Sequence, residues 1–562
     1  MLQRQPYATH WQTGLARRFS SATMTASKNI AAPNAMRKIA SLLVSTLLSS
    51  LFVLATPAFA DEDPGLAAFR NKDYATALKV WTNEAETGDV RAQASLGVLY
   101  ANGLGVAKDD TLALHWFRQA ADGGDSNGQY NVGVMYRDGR AVPQNDVEAV
   151  RWFRLAADQG DTNAKINLGA AYRLGRGVAK DLKEAFRWYK QAAEQGNLVA
   201  QGLLGYLYQH GEGVEQNNKE ALRWYHLAAE HGFYDAQFEL GRMYENGDGV
   251  AKDGKEAMRW YKMSAEQGFP QAQDKLAQIY LAGEIVPKSD VEAVRWFTLA
   301  ANKGYVTSQT SLGVRYENGE GVTKDDATAV RYYKLAAAQN FALAEYNLAT
   351  MYAEGRGIEK DDKEAARLYK EAANQGNIAA SNNLGMMTLN GEGVAKNEEE
   401  GARLVRIAAD KGMAEAQSNL GMMYANGRGV AKDDKESVRW YKMAALQGDA
   451  EAENNLGWSY REGVGIARDP QQAADWFRKS AVQGNAYGQH ALGLLYRDGN
   501  GVKPNAVTAY AWLDLAAKAD FPNAAIERDK LGSAMSPGNL EQARNLSANW
   551  KPGEVIGDTA RK

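Results

Sequence analysis

The sequence predicts an all-α solenoid, a right-handed superhelix of about twelve 36-residue αα-hairpins with capping helices at its ends. Three observations predict it. The phrase Leu96-Gly97-Val98-Leu99-Tyr100 recurs in outline every 36 residues as far as Gly493. A glycine pair spaced as Gly103 and Gly105 closes each phrase, and an apolar run centred on Trp116 follows at the same interval. A constant period of this size marks stacked units, each able to bury its apolar side only against its neighbours.

The elements follow in chain order. Residues 1–35 carry basic side chains and no acid and read as a non-native or leader extension. Residues 36–60 have the grammar of a signal peptide: Arg37-Lys38, an apolar stretch from Ile39 to about Ala55, and Ala58-Phe59-Ala60 as the cleavage site. That reading implies a periplasmic, secreted or cell-surface location, with no stable membrane insertion after cleavage. Residues 61–88 form an N-terminal partial repeat or cap, residues 89–520 the repeat array, and residues 521–562 a C-terminal helical cap and tail.

Within one unit, Ala92, Leu96, Leu99 and Tyr100 share a helical face. Gly97 interrupts it, and Gly133 and Gly169 repeat the interruption. A glycine inside a helix costs about 1 kcal/mol relative to alanine, so its recurrence predicts close backbone approach. Ala277 and Ala349, the only other occupants of this slot, keep the bulk small. The glycine pair then turns the chain, with Ala141 and Ile285 replacing its second member in two units. The second helix begins at Asp109. Asn145, Asp181, Asn217 and their successors through Asn505 are N-cap residues, and Glu148, Glu184 and Glu220 three positions on predict a capping box. One large ring per unit, at Trp116, Trp152, Trp188, Trp224, Trp260, Trp296, Trp440, Trp476 and Trp512, predicts a seal between hairpins. Tyr332, Leu368 and Leu404 interrupt that row. Trp81 is offset by one position and matches Phe117 instead.

Composition narrows the chemistry. Six of the 65 Lys and Arg residues and none of the 68 acids lie in the first 60 residues. The remainder is therefore net negative, which argues against nucleic acid as a partner. With no cysteine, disulfides, thiolate catalysis and thiolate-ligated zinc are excluded. The glycine pairs follow helices and lack a lysine-serine tail, so they are no phosphate loop. His226 and His231, five apart, are poorly placed to share a metal. The sequence predicts no catalytic residues, no cofactor and no metal. Arg151, Arg187, Arg223, Arg259, Arg295, Arg331, Arg367, Arg403 and Arg439 form a row of one per unit. Pairing with the Glu three positions before accounts for it, and a ladder for an anionic ligand is the alternative.

The pattern Ala92-x-x-x-Leu96-Gly97-x-x-Tyr100-x-x-Gly103-x-Gly105-Val106, followed by Asp109, Ala113, Trp116, Ala120-Ala121 and Gly124, resembles the Sel-1-like repeat, a relative of the tetratricopeptide repeat. The resemblance runs from about Asp61 to about Asp520. It implies a non-enzymatic, secreted or periplasmic protein-binding scaffold or adaptor. Many-repeat secreted members include one that binds the host protein secretory immunoglobulin A. A cell-envelope regulator or assembly factor is a second reading. A carbohydrate-binding module, taking polysaccharide on a row of exposed tryptophans, is a third. A cell-wall or β-lactam hydrolase is a fourth, although the paired cysteines of relatives linked to penicillin binding are absent here. The family's inner face is built from first helices. The variable residues Gln93, Ser95 and Val98, and Gln237, Glu239 and Arg242, are therefore partner-binding candidates, as is the methionine patch Met386, Met387, Met422 and Met423.

Overall fold

The computed structural model describes residues 63–556. The readings of residues 1–35 and 36–60 lie outside the described residues, as do the first two residues of the expected N-terminal cap and the last six of the tail.

The chain divides into two compact units, the first ending at Lys303 and the second beginning at Gly304. Both are all-α over the described residues. The first opens with a short pair, Pro64–Arg70 and Tyr74–Glu86, and continues with six hairpins from Val90 to Asn302. The second contains six hairpins from Val306 to Lys518 and closes with Ala524–Ser533 and Pro537–Asn549. Each hairpin has a leading helix, such as Val90–Asn102, and a trailing helix, such as Asp110–Asp122. Within each unit, a helix packs chiefly on the one before and the one after it. This is a solenoid of paired helices, as the period predicts.

The turn chemistry explains the sharp boundaries. Leading helices stop at a glycine in the left-handed region, as at Gly103 (φ 69°). Trailing helices start at the expected N-caps: Asp109 Oδ1 accepts from the backbone N–H groups of Thr111 and Leu112 at 2.9 and 3.0 Å. The second half of the expected capping box does not form. The N–H of Asp109 donates to the carbonyl of Tyr100 at 3.0 Å, and Asn145, Asp181 and Asp253 repeat this bond to Tyr136, Tyr172 and Tyr244. The preceding helix has thus occupied the donor that a Glu would need. Glu148, Glu184 and Glu220 turn instead to Arg151, Arg187 and Arg223.

Three of the mid-helix glycines act differently from expectation. A Cβ on Gly97 would lie 2.5 Å from the Phe117 ring, and one on Gly133 2.7 Å from the Phe153 ring. One on Gly169 would meet Tyr189 at 2.9 Å. There the glycine is a seat for the ring one position after the tryptophan slot, whereas at Gly385, where Val405 replaces the ring, the backbone closes in as expected, 2.9 Å separating a Cβ from the Gly401 carbonyl oxygen. Phe117, Tyr189, Tyr261 and Tyr333 are fully buried there. Trp81 is 1 % exposed and donates to Asp63, which closes the opening pair. At the other end Trp512 is fully buried, donates to the Ile556 carbonyl and packs edge-on against Trp550.

Candidate protein-binding faces

The leading helices sort their side chains by slot. The slot of Gln93 faces the neighbouring hairpin. Gln93 Nε2 donates to the Ala85 carbonyl at 3.1 Å, eight residues back, and Gln201, Gln237, Gln273, Gln417 and Gln489 do the same. Gln237 also accepts from Gln267 Nε2 at 2.7 Å, and Gln417 from Gln447 at 2.8 Å. An amide suits this slot because it donates and accepts at once. Two units carry acids there: Glu345 accepts from Gln375 and Glu453 from Gln483. Burial raises both carboxyls, Glu453 to about 7.

Gln93, Ser95, Val98 and Gln237 are consequently buried, Gln237 to 1 % exposure. Met387 and Met423 are buried as well. Their burial assigns these six side chains to packing between helices, which withdraws them from direct contact with a partner. Glu239 and Arg242 are half-buried and form an ion pair at 3.0 Å. Met386 and Met422 remain half-buried at equivalent slots of successive leading helices.

The structure adds a row that the reading of the sequence missed. Asn347, Asn383, Asn419 and Asn455 recur at 36-residue spacing on four leading helices of the second unit. Asn383, Asn419 and Asn455 are half-buried and Asn347 is buried. Three residues after the last three come Met386, Met422 and Trp458, on the same side of their helices and also half-buried. The amides are partly engaged with one another: Asn419 Nδ2 donates to Asn382 Oδ1 at 3.2 Å, and Asn382 Nδ2 reaches Asn383 Oδ1 at 3.3 Å and Glu415 Oε1 at 3.4 Å. Strict spacing at the Ser95 slot was the signal for this row.

The trailing helices present the arginine row, already neutralised. Arg187 pairs with Glu184 at 3.1 Å and its guanidinium stands 5.4 Å from the Trp188 ring centre. Arg223, Arg259, Arg295 and Arg439 repeat both contacts. Arg331 lacks the Glu partner at this spacing and keeps the ring contact, with Tyr332 at 4.7 Å. Beneath the guanidinium groups Trp188, Trp224, Trp260, Trp296 and Trp440 are buried, and Trp476 is buried beneath the Lys479 ammonium, whereas Trp116 and Trp152 are half-buried. Trp224 belongs to the apolar cluster that joins Leu204 and Leu207 of its own hairpin to Tyr189 and Ala193 of the preceding one, and Trp260 to the cluster that joins Leu240 and Met243 to Tyr225 and Ala229. These rings seal hairpin to hairpin.

Among the described residues no group of three or more His, Asp or Glu side chains could hold a metal. His226 instead contacts Tyr244, and His231 contacts the Leu227 carbonyl. No described helix is long and apolar enough to cross a membrane.

A stack of hairpins tied by glutamines and glycine seats defines a helical-repeat scaffold, whose contact surfaces are helix faces. The Sel1 repeat model matches twelve consecutive segments, the first at residues 90–125 and the last at 486–521. The chain belongs to the Sel1-repeat family, whose fold is typically a non-catalytic scaffold. Among solved structures it is similar to a protective antigen present in uropathogenic Escherichia coli strains, which displays the same repeat fold. The two are 33% identical, with 80% of this chain and 99% of the antigen covered and a TM-score of 0.72. It is also similar to a Sel1 repeat protein from Oxalobacter formigenes, at 28% identity, covering 61% of this chain and 99% of that one, with a TM-score of 0.46. The chain matches no curated protein.

Proposed function

We propose that this protein is an exported scaffold that binds another protein along the leading helices of its second unit. The observation that carries this reading is the row Asn383, Asn419 and Asn455 beside Met386, Met422 and Trp458. Carboxamides can donate to and accept from the main chain of an extended segment. Thioethers and an indole beside them offer adaptable apolar contact. Several adjacent helices are needed to supply the roughly 1,200–2,000 Å² of a stable interface. The similarity to a protective antigen supports a host protein as partner, secretory immunoglobulin A being the specific version, over a cell-envelope regulator or assembly factor. The test is capture from host secretions and, separately, from envelope extract on the immobilised chain 61–562. One saturable protein recovered from secretions, and lost with Asn383→Ala, Met386→Ala and Met422→Ala combined, supports the host reading. Recovery from envelope alone supports the regulator, and capture unaffected by the triple change removes this face from consideration.

A further inference from the structure

The last hairpin of the array lacks a cover that its predecessors have. In the second unit the starts of successive trailing helices lie under the turn of the hairpin that follows. A Cβ on Gly429 would collide with the Glu398 carbonyl oxygen, one on Gly465 with that of Asp434, and one on Gly501 with that of Pro470. One period after Gly501 stands Pro537, which opens a helix of its own behind the cap Ser536. Among the described residues, therefore, no glycine turn covers the start of Ala506–Lys518. A cavity of about 850 Å³ lies there, between that helix start, one side of Pro537–Asn549 and the segment 550–556. Its size falls within the roughly 300–1,000 Å³ of small-ligand sites.

The lining is rich in amides. Glu541, Asn545 and Asn549 follow one another at four-residue intervals, with Gln542 three before Asn545, so one side of the last helix carries all four. Gln542 and Asn545 are exposed. Asn505 spends its Oδ1 on the Val507 and Thr508 N–H groups, both at 3.1 Å, and keeps its amide hydrogens as donors. Trp550 supplies an apolar wall. Its Nε1 donates to the Glu554 carbonyl at 2.8 Å and its ring packs edge-on against Trp512, which fixes the indole before any ligand arrives. Glu541 and Glu554 are the charged members, and no Lys, Arg or His side chain lines the cavity.

This lining discriminates between ligand classes. Two carboxylates with no cation beside them repel an anion. A wholly apolar ligand would strip water from the amides without replacing its hydrogen bonds. A basic peptide would meet only two acids, and Glu554 already accepts from the Lys551 N–H at 3.0 Å. Hydroxyl groups, which donate and accept, suit carboxamides and carboxylates together, and the C–H face of a sugar ring suits an indole. We infer that the cavity binds a short neutral oligosaccharide, with a ring face on Trp550 and hydroxyls on Asn505, Gln542, Asn545 and Glu541. The site goes beyond the scaffold reading and shares no residue with the asparagine row.

The test is isothermal titration calorimetry of chain 61–562 with maltotriose and triacetylchitotriose as neutral probes. Trigalacturonate is the acidic probe and a short Lys-Arg peptide the basic one. Saturable binding of at least one neutral probe is expected, with trigalacturonate at least tenfold weaker. Gln542→Ala with Asn545→Ala changes only exposed side chains and should weaken binding at least tenfold, with an unchanged circular dichroism melting curve. Trp550→Ala should abolish binding. Because it also removes a contact of Trp512, Trp550→Phe is measured beside it and should retain part of the affinity. Glu399→Gln, on a distant exposed helix surface, should change nothing. Failure of both neutral probes to bind, binding indifferent to the Gln542 and Asn545 changes, or tighter binding of the acidic or basic probe overturns the site. Any of these leaves protein capture by the asparagine row standing, so the two readings fail separately.

Discussion

Two successive turns in the first unit show what the repeat demands and how it bends. At Gly247-Asp248-Gly249-Val250 both glycines are left-handed, with φ of 84° and 74°. The Asp248 N–H donates to the Met243 carbonyl at 3.0 Å. A Cβ on Gly249 would lie 2.6 Å from the carbonyl of Asn218, the first residue of the preceding trailing helix. One unit later the turn reads Gly283-Glu284-Ile285-Val286. Gly283 keeps its left-handed φ of 67° and its bond to Ile279, but Ile285 leaves that region and Glu284 makes no counterpart bond among the described residues. The helix start facing Ile285 is Gly254, where a Cβ would meet the isoleucine side chain at 3.0 Å. Elsewhere that start is Asp110, Asp146 or Asn218. The glycine has moved 31 residues back along the chain to the other side of the same contact. The rule is thus one small residue per contact, and either partner can supply it.

The largest effect should come from forcing the exception onto the regular turn. Gly249→Ile combines a left-handed backbone, unfavourable for a β-branched residue, with the Asn218 contact. It should cost about 3 kcal/mol, read as a lowered urea midpoint. The paired positions give the sharper test. Gly254→Asp should cost about 1–2 kcal/mol by crowding Ile285, and Ile285→Gly in the same chain should recover most of it. Additivity in that double-mutant cycle would break the comparison.

The contrast extends to a slot whose exception is a charge. Glu453 stands in the slot that Gln417 and Gln489 occupy in the adjacent units and is 4 % exposed. Its folded pKa of about 7 lies above the unfolded value, so ionisation costs stability as pH rises from about 4.5 to 7, and the penalty levels off above that. Glu453→Gln should therefore raise stability by about 2 kcal/mol at pH 8 and by almost nothing at pH 4, measured by denaturant unfolding at both. The smallest effect belongs to Ala141, the other replacement of a second turn glycine. It keeps the left-handed conformation at φ 59°, so Ala141→Gly should stabilise by about 0.5–1 kcal/mol, a rise of a degree or two in melting temperature.

The hairpin boundaries were legible because the residues that make them act within a few positions of themselves. Asp109 caps its own helix, and Gly103 ends its own. Contacts between slots were less so. Gly97 and Phe117 are 20 residues apart, and Gly254 and Ile285 are 31 apart. Nothing in either alone reveals that one is the seat of the other. The capping box failed for the same reason, since the Tyr100 carbonyl that displaces it arrives from another helix. At the candidate sites, the inner-face placement that the resemblance implies makes Gln93 and Gln237 partner contacts, whereas the glutamine slot binds hairpins together.

The N–H of each trailing-helix cap, tied to a carbonyl nine residues earlier from Tyr100 to Asp109 and again from Tyr244 to Asp253, makes every turn a loop of set length. Losing or gaining one residue inside it would rotate all later helices out of step with the chain before them. Such a molecule tolerates change of length in whole modules. Its reach is therefore inherited in quanta, and a relative with more or fewer hairpins can differ in grasp while keeping every joint the same.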